Sequence, residues 1–289
     1  MEIQSRTGVL HSMTETYKLI IDQQRVLADQ QGIRYDKHGY TLCLTDNLYR
    51  PLSPATVEEF KHGRGDELGD STNRGKMQAL HSSSALAVNV FEYWRHRNIA
   101  FIAEACGASS GISEMKFEAT YPTPLGGIPP HLDIEFTGTH AKSLVVESKF
   151  TEIYHRHTRR KIKRAYISTP LLWSGLPSCE TLAKLIYEEQ NGHTSFEYLD
   201  APQLLKHILG LNHEKRFKEK GFILLYLWYE IPSVEADRHL SEIASFKKAT
   251  RQDVDFQVLT YQELFNRIRT IPGIDQNYIS YLGVRYFPA

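Results

Sequence analysis

HLDIEFTGTHAKSLVVESKFTE occupies residues 131–152 and decides the fold, because both of its halves have the composition of β-strands. A short turn containing one glycine separates the halves, which predicts an antiparallel hairpin. Side chains alternate between the two faces of a strand, so Asp133 and Glu135 share one face of the first strand. Glu147 and Lys149 likewise share one face of the second strand, beside an apolar layer. The hairpin therefore predicts that an Asp, a Glu and a Lys converge on one patch, which suits metal chemistry.

The composition is that of a globular protein with a large core, since 41% of the 289 residues are hydrophobic and 11% are aromatic. The 34 basic and 34 acidic groups cancel. A polyanionic partner must therefore be met by a local basic patch rather than by the field of the whole molecule. Overall charge neither supports nor excludes nucleic acid as a partner. It is compatible with a homodimer, although no motif requires one.

Three cysteines, Cys43, Cys106 and Cys179, lie far apart and form no Cys-x-x-Cys pair. This spacing disfavours a disulfide framework and a structural zinc site, and it fits a reducing cytoplasm best. The N-terminal residues have no basic segment leading into an apolar run, and no stretch reaches the roughly 18 apolar residues of a membrane span. We therefore expect a cytoplasmic protein that is neither exported nor inserted into a membrane.

The segments around the hairpin predict helices and further strands of a mixed sheet. Before it we expect a weak helix at 12–30, a strand-like piece at 39–44, mostly turn and loop at 49–74, helices at 77–97 and 99–105, and a strand at 115–121. If the helix at 77–97 starts later, Ser82 or Ser83 is available as its cap. After it we expect helices at 179–189, 202–210, 236–248 and 261–269, strands at 221–229 and 255–259, and an edge strand at 278–287. The continuous apolar run at 221–229 is typical of a strand buried on both faces. The prediction is a three-layer α/β fold with a mixed central sheet flanked by helices.

Polar residues in the later segments have structural or functional interpretations. Thr260, with Glu263 at the third helical position, predicts a cap for the helix at 261–269. Arg285 is expected to be structural. Gln203, Lys206 and His207, on the predicted helix at 202–210, could reach DNA or the site, although solvent exposure is the default expectation for such residues.

Two pieces of the hairpin resemble the PD-(D/E)xK nuclease superfamily, which has the restriction-endonuclease-like fold. They are PHLD at 130–133 and ESK at 147–149, a strand-borne Asp followed after a spacing of 14 residues by Glu-x-Lys. The run HSSSALAVNVF at 81–91, together with KFTE at 149–152, further resembles an uncharacterised bacterial branch of that superfamily.

The sequence departs from the superfamily motif at its proline, which is separated from Asp133 by two residues instead of standing next to it. This difference matters little chemically, because only the carboxylate binds metal. The resemblance covers residues 77–287, and residues 1–76 match no known pattern. We therefore predict an N-terminal helical and loop extension at 1–76 and a nuclease-like domain at 77–289.

The resemblance implies a role for each residue of the motif. Asp133 and Glu147 would hold Mg²⁺, for which Mn²⁺ can substitute, and the backbone carbonyl of Ser148 would complete the coordination. Lys149 would orient or help deprotonate the attacking water and shield developing negative charge. Glu118, on the predicted strand at 115–121, is the candidate for an extra ligand or water-positioning group. Weaker candidates for this extra role are Glu135, Glu152 and Glu92.

The densest basic run of the chain, YHRHTRRKIKR at 154–164, follows the hairpin directly. Beside a metal site it would supply phosphate contacts and salt-sensitive affinity for nucleic acid. A solvated loop explains the run equally well. The candidate nucleic-acid-binding residues are Arg156, Arg159, Arg160, Lys161 and Lys163.

These inferences lead to a Mg²⁺-dependent DNA endonuclease, of the restriction or phage-defence type, as the leading hypothesis. The hypothesis from another class is a catalytically inactive DNA-binding or partner-binding module that keeps the same fold. A third is a nuclease that acts on RNA or branched DNA. The biological role rests on the resemblance alone, because one fold serves restriction, repair and recombination.

Overall fold

The computed structural model describes residues 14–63, 65–70, 72–157, 161–189 and 195–287. Within these ranges five strands form one sheet in the order β1-β2-β3-β4-β5. Strands β1 to β3 pair antiparallel, whereas β3, β4 and β5 pair parallel. The strands are β1 (Glu114–Thr120), β2 (His131–Thr137), β3 (Ser143–Lys149), β4 (Phe222–Trp228) and β5 (Asp255–Thr260).

Helices connect and cover these strands. Those before the sheet are α1 (Glu15–Gln30), α2 (Pro54–His62), α3 (Ser83–Phe91) and α4 (Ile99–Ala105). Those within and after it are α5 (Ala165–Ser168), α6 (Pro177–Glu189), α7 (Ala201–His213), α8 (Phe217–Lys220), α9 (Val234–Thr250), α10 (Tyr261–Ile268) and α11 (Gln276–Tyr286). No helix in the described part of the chain combines the length and the apolar character that crossing a bilayer requires.

Helices pack on both faces of the sheet and make three layers. On one face, the ring centroid of Phe91 in α3 lies 5.9 Å from that of Phe136 in β2. On the other face, His239 in α9 packs at 5.2 Å against the ring of Trp228 in β4. β4 is buried along nearly its whole length, which explains its continuous apolar sequence. The predicted three-layer α/β fold with a mixed sheet is confirmed, and it is consistent with a restriction-endonuclease-like fold.

The long helix predicted at 77–97 is wrong as a single element. The chain forms a short 3₁₀ turn at Lys76–Gln78, then α3, then a second 3₁₀ segment at Glu92–His96. The side chain of Ser82 accepts a hydrogen bond from the backbone N–H of Ala85, and this cap starts α3 several residues later than the apolar stripe suggests.

The edge strand predicted at 278–287 is also wrong, because this segment is α11. Asp275 caps the helix, and Tyr278, Leu282 and Tyr286 recur at four-residue spacing and are buried. The tyrosines have strand propensity, but their helical spacing against the core decides the structure.

Two predictions for the N-terminal region also need correction. The segment at 49–74, predicted to be loop, contains α2, which Ser53 caps and Pro54 begins. The ring of Phe60 in α2 stacks on Phe117 of β1 with centroids 5.6 Å apart. The strand-like piece at 39–44 forms only isolated bridges.

Arg285 is structural, as predicted, and it joins α11 to the N-terminal region. Its guanidinium is fully buried and donates to the side chains of Gln24 at 2.6 Å and Asn47 at 2.9 Å, and to the backbone carbonyl of Leu80 at 3.1 Å. Neutral acceptors therefore solvate this buried charge. The boundary at residues 76 and 77 stays a prediction.

Candidate active site

Glu118, Asp133 and Glu147 lie side by side on neighbouring strands and form what we call the carboxylate row. The registers of β1 with β2 and of β2 with β3, extended by one residue, bring Glu118, Asp133 and Glu147 to the same level. Directly opposed residues point to the same face of a sheet, so these side chains share one face. Burial raises the pKa of Asp133, and the charges of Glu147 and Glu118 raise it further, as the shared level of the three carboxylates leads us to expect.

The side chain of Asp133 makes a hydrogen bond to β3 just past the last regular pair of β2 and β3. Its Oδ2 accepts a hydrogen bond of 2.6 Å from the backbone N–H of Ser148, beyond the last regular pair of the two strands. Burial is the largest cause that raises the pKa of Asp133 well above its ordinary value, followed by the charge of Glu147. The hydrogen bond from Ser148 and the charge of Lys149 act in the opposite direction.

Ser148 and Lys149 connect the end of β3 to the chain on both of its sides. The N–H of Ser148 points toward β2, whereas the carbonyl of the next residue, Lys149, accepts from the N–H of Tyr229 just beyond β4. The N–H and C=O of one strand residue point to the same edge, so the carbonyl of Ser148 also faces the gap beside Asp133. On the other face of the sheet, the Ser148 hydroxyl lies 2.6 Å from the hydroxyl of Tyr261.

Lys149 lies over the row and is held by two partners. Its Nζ donates to Oε1 of Glu147 at 2.5 Å and to Oε1 of Gln203 at 3.2 Å. Burial acts to lower the pKa of Lys149, but the charges of Glu147, Glu152 and Asp133 outweigh it, so the pKa lies above its ordinary value. The side chain is therefore a charged donor at neutral pH.

Glu118 has a strained backbone. Its φ of 52° lies in the left-handed region that residues other than glycine rarely adopt, although it stands inside β1. The side chain is 12% exposed, and its Oε2 is 3.7 Å from Nδ1 of His131. Burial, and then the charges of Glu67 and Glu147, raise the pKa of Glu118 to about 7. Such a carboxyl can hold or release a proton near neutrality.

The weaker candidates for an extra ligand have other partners. Glu152 accepts at 2.8 Å from the N–H of Phe150. Burial works to raise its pKa, but the charge of Lys149 and hydrogen bonds to backbone N–H groups outweigh it and lower the pKa. Glu135 forms an ion pair with Arg216 at 2.8 Å.

Glu92 belongs to the packing of α2. Its carboxylate accepts from the N–H of Ser53 at 2.9 Å and from the hydroxyl of Thr56 at 2.6 Å. It also pairs with Arg95 at 3.2 Å. These bonds explain why an acidic residue is buried in this position.

Helix α7 brings two further residues to the row, and both do reach the site. Gln203 and His207 are four residues apart, so they lie on one face of the helix. Nε2 of His207 is 3.3 Å from Oε2 of Glu147. Burial lowers the pKa of His207 to about 4 against the raising effect of Glu147. The ring is therefore neutral at pH 7, and the contact is not an ion pair.

Glu67 is a site residue for which the sequence carries no signal. It lies in the segment between α2 and α3 that is rich in Gly and Asp, where a solvated loop is expected. Its carboxyl is close enough to Glu118 to raise the pKa of that group. Burial raises the pKa of Glu67 itself.

The basic run is only partly described. Arg156 has a side chain that is 54% exposed, and its Nε lies 3.5 Å from a carboxylate oxygen of Glu197. Lys161 and Lys163 are exposed. Arg159 and Arg160 lie outside the described residues, so their predicted contacts stay predictions.

The donors at the row fit a hard divalent cation. Five carboxyl groups in the described part of the chain are linked by charge effects on their pKa values, directly or through Lys149. They are Glu67, Glu118, Asp133, Glu147 and Glu152. Mg²⁺ prefers carboxylate, carbonyl and water oxygens, and a cation would favour the ionised forms of Glu118 and Asp133, whose pKa values are raised.

The side chains alone do not form a complete metal cage. Within the ranges that the structure describes, no group of three or more His, Cys, Asp or Glu side chains is arranged to hold a metal ion. A site made from Asp133, Glu147 and the carbonyl of Ser148 uses only two such side chains. Water would have to fill its other positions, as it usually does around Mg²⁺.

The mixed five-stranded sheet with flanking helices is consistent with the restriction-endonuclease-like class of proteins. The family model described as "Restriction Endonuclease associating with ARP" matches residues 20–287, and the chain belongs to that family. This membership supports a nuclease of the hydrolase class. Neither the curated proteins nor the solved structures contain a match.

Proposed function

We propose that the chain is a metal-dependent endonuclease of the PD-(D/E)xK type that hydrolyses phosphodiester bonds in DNA. The observation that carries this proposal is the meeting of Asp133, Glu147 and Lys149 just past the last regular pair of β2 and β3. Membership of a restriction-endonuclease family supports DNA as the substrate and restriction or phage defence as the role.

Asp133, Glu147 and the backbone carbonyl of Ser148 would hold Mg²⁺, and Mn²⁺ would substitute for it. When bound, such an ion neutralises charge on the scissile phosphate and makes water a better nucleophile. Residues of this chain hold the two metal-binding carboxylates in position. The hydrogen bond from Ser148 fixes the Asp133 carboxylate, and the Lys149 ammonium fixes one oxygen of Glu147.

Lys149 would orient the attacking water and shield the charge that develops on the phosphate. Its raised pKa favours this role as a cation and hydrogen-bond donor over that of a base. Gln203 limits the rotation of the ammonium by accepting one of its hydrogen bonds. Glu118, whose pKa is about 7, would position a water or accept its proton beside the row.

The basic run would bind the DNA backbone next to this site. Arg156, Lys161 and Lys163 present positive charge to solvent after β3, and contacts to phosphate oxygens are independent of base sequence. They would therefore provide affinity and register, not sequence specificity. Arg159 and Arg160 complete the proposed set.

The test is cleavage of linear, circular and single-stranded DNA at low salt with Mg²⁺ or Mn²⁺. Wild type is compared with Glu147→Gln and Lys149→Met, and with Lys142→Met as a matched control. Lys142 forms a surface ion pair with Asp255 at the other end of β3 and β5. We expect cleavage by wild type and by the control, and none by the two site variants. Equal behaviour of all four proteins contradicts the catalytic proposal, and binding without cleavage favours the inactive DNA-binding module.

A further inference from the structure

The imidazole of His207 is buried against the carboxylate row, and none of the roles assigned to Asp133, Glu147 or Lys149 uses it. The residue is 1% exposed. Neither ring nitrogen has a hydrogen-bond partner among the described residues. Buried polar atoms without partners are rare in folded proteins, and each one indicates a missing ligand, water or functional role.

The ring is aimed at one particular oxygen of the site. Glu147 uses Oε1 to accept from Lys149, and its Oε2 faces Nε2 of His207 at 3.3 Å. A neutral imidazole has one nitrogen with a free lone pair, which is a metal donor. Two donors that bind one ion at about 2.1 Å each, with a bond angle of about 90°, lie roughly 3 Å apart. The observed separation fits a cation shared by the two groups.

Helix α7 positions both Gln203 and His207. Asp200 caps the helix by accepting at 3.0 Å from the N–H of Gln203. The side chain of Gln203 in turn accepts from Lys149, one helical turn before His207 on the same face. The imidazole therefore reaches the site from the helix layer, whereas Asp133 and Glu147 reach it from the sheet.

We propose that Nε2 of His207 and Oε2 of Glu147 share a divalent ion, with water in its other positions, and that the imidazole sets the preference of this site among metals. This inference rests on the proposed metal-dependent function. Imidazole nitrogen favours ions such as Co²⁺ and Zn²⁺, whereas Mg²⁺ relies on oxygen donors and water. His207 thus strengthens binding of the former ions and contributes little to binding of Mg²⁺.

Metal binding to the purified protein tests the proposal without any cleavage assay. Co²⁺ is titrated and followed by visible absorption and by the shifted imidazole proton signals of paramagnetic NMR, and Mg²⁺ is titrated by calorimetry. We expect His207→Leu to weaken Co²⁺ binding at least about tenfold and to remove one shifted imidazole signal. Mg²⁺ affinity should change by less than about threefold.

Two further variants make the outcome decisive. His213→Gln changes an exposed histidine on the same helix and should leave both ions unaffected. His207→Gln keeps a polar side chain of similar length and replaces the Leu variant if that protein does not fold. If wild type binds neither ion, the proposed metal-dependent function fails as well. If wild type binds Co²⁺ and the His207 variants keep its affinity and the NMR signal, only the assignment of His207 is overturned.

Discussion

The backbone N–H of Ser148 donates a 2.6 Å hydrogen bond to the carboxylate of Asp133, so a side chain of β2 takes the position of a ladder carbonyl. The regular pairing of β2 with β3 ends at Ile134 and Val146. The Asp133 side chain therefore satisfies a backbone donor just past the last regular pair, at the level of the carboxylate row. This hydrogen bond fixes the carboxylate of Asp133 on the strand next to Glu147.

Replacing Asp133 by Asn should abolish function without harming the fold. The amide oxygen of Asn can still accept from Ser148, and the amide removes the cost of ionising a buried carboxyl beside Glu147, which is what raises the pKa of Asp133. We expect cleavage to fall at least about 100-fold. Thermal unfolding in EDTA should show a melting temperature that is unchanged or higher.

Asp255→Asn is the matched control for this change, because Asp255 pairs with Lys142 at the surface, away from the row. It should cleave like wild type. A wild-type cleavage rate for Asp133→Asn would remove that carboxylate from the mechanism. A large loss of stability would instead show that its role is structural.

Lys149 and Glu147 should be energetically coupled. Lys149→Met leaves the buried Glu147 carboxylate without its cation, and breaking a buried pair from one side costs about 3 to 5 kcal/mol. The double variant Lys149→Met/Glu147→Gln removes both charges and should recover much of that loss. Urea unfolding of the wild type, both single variants and the double variant completes a double-mutant cycle. Additive effects in the cycle would mean that the pair contributes nothing to stability.

The hairpin and the row of carboxylates could be predicted because strand alternation is a local property. Alternation places Asp133 with Glu135 and Glu147 with Lys149, and the antiparallel register then brings Asp133 and Glu147 to one level on one face. The continuous apolar run at 221–229 likewise predicts the buried strand β4. In contrast, the tyrosines of α11 favour a strand by propensity, and only their packing against the core selects the helix.

The rest of the site depends on how distant elements dock. The sequence shows Gln203 and His207 on one helical face, but not that this face covers Lys149 and Glu147. Glu67 has no periodic pattern around it at all. These residues reach the site through tertiary packing across sequence separations that local rules do not describe.

The pKa of Glu118 predicts how stability depends on pH. Since the pKa rises from 4.5 to about 7 on folding, the native state binds more protons than the unfolded state between these values. The free energy of unfolding therefore falls as the pH rises through this window. Glu118→Gln should remove this loss and stabilise the metal-free protein by roughly 2 to 3 kcal/mol above the window. Below about pH 4.5 the variant and wild type should be alike.

Thermal melts in EDTA across this pH range measure the effect of the Glu118 variant. Glu104→Gln is a suitable control, because Glu104 is an exposed residue of α4. Parallel pH profiles for wild type and Glu118→Gln would show that the Glu118 carboxyl is ionised in the folded protein as readily as in the unfolded chain.

The basic run should determine the salt dependence of DNA binding. Each lysine that contacts a phosphate contributes about 0.9 to the slope of log affinity against log salt. The double variant Lys161→Ala/Lys163→Ala should therefore lower the slope by about 2. Fluorescence anisotropy with labelled DNA in EDTA measures binding without cleavage. Lys247→Ala/Lys248→Ala, two exposed lysines of α9, is the matched control. An unchanged slope in the Lys161/Lys163 variant would mean that these two lysines face solvent and do not contact phosphates.

Arg285 should link the folding of the N-terminal region to that of the sheet. Its guanidinium is fully buried and donates to Gln24 and Asn47 from the first part of the chain. Arg285→Met leaves these acceptors buried without donors, and each lost bond to a charged group costs about 1.5 to 3 kcal/mol. We therefore expect the free energy of unfolding to fall by about 3 kcal/mol or more, measured by urea denaturation. Arg269 is an exposed arginine just after α10, so Arg269→Met should have little effect.

The shape of the urea unfolding curve of Arg285→Met shows whether the region before residue 77 unfolds together with the sheet. If the loss appears in one cooperative transition, the two unfold together. If only an early, partial transition shifts, the predicted extension unfolds separately.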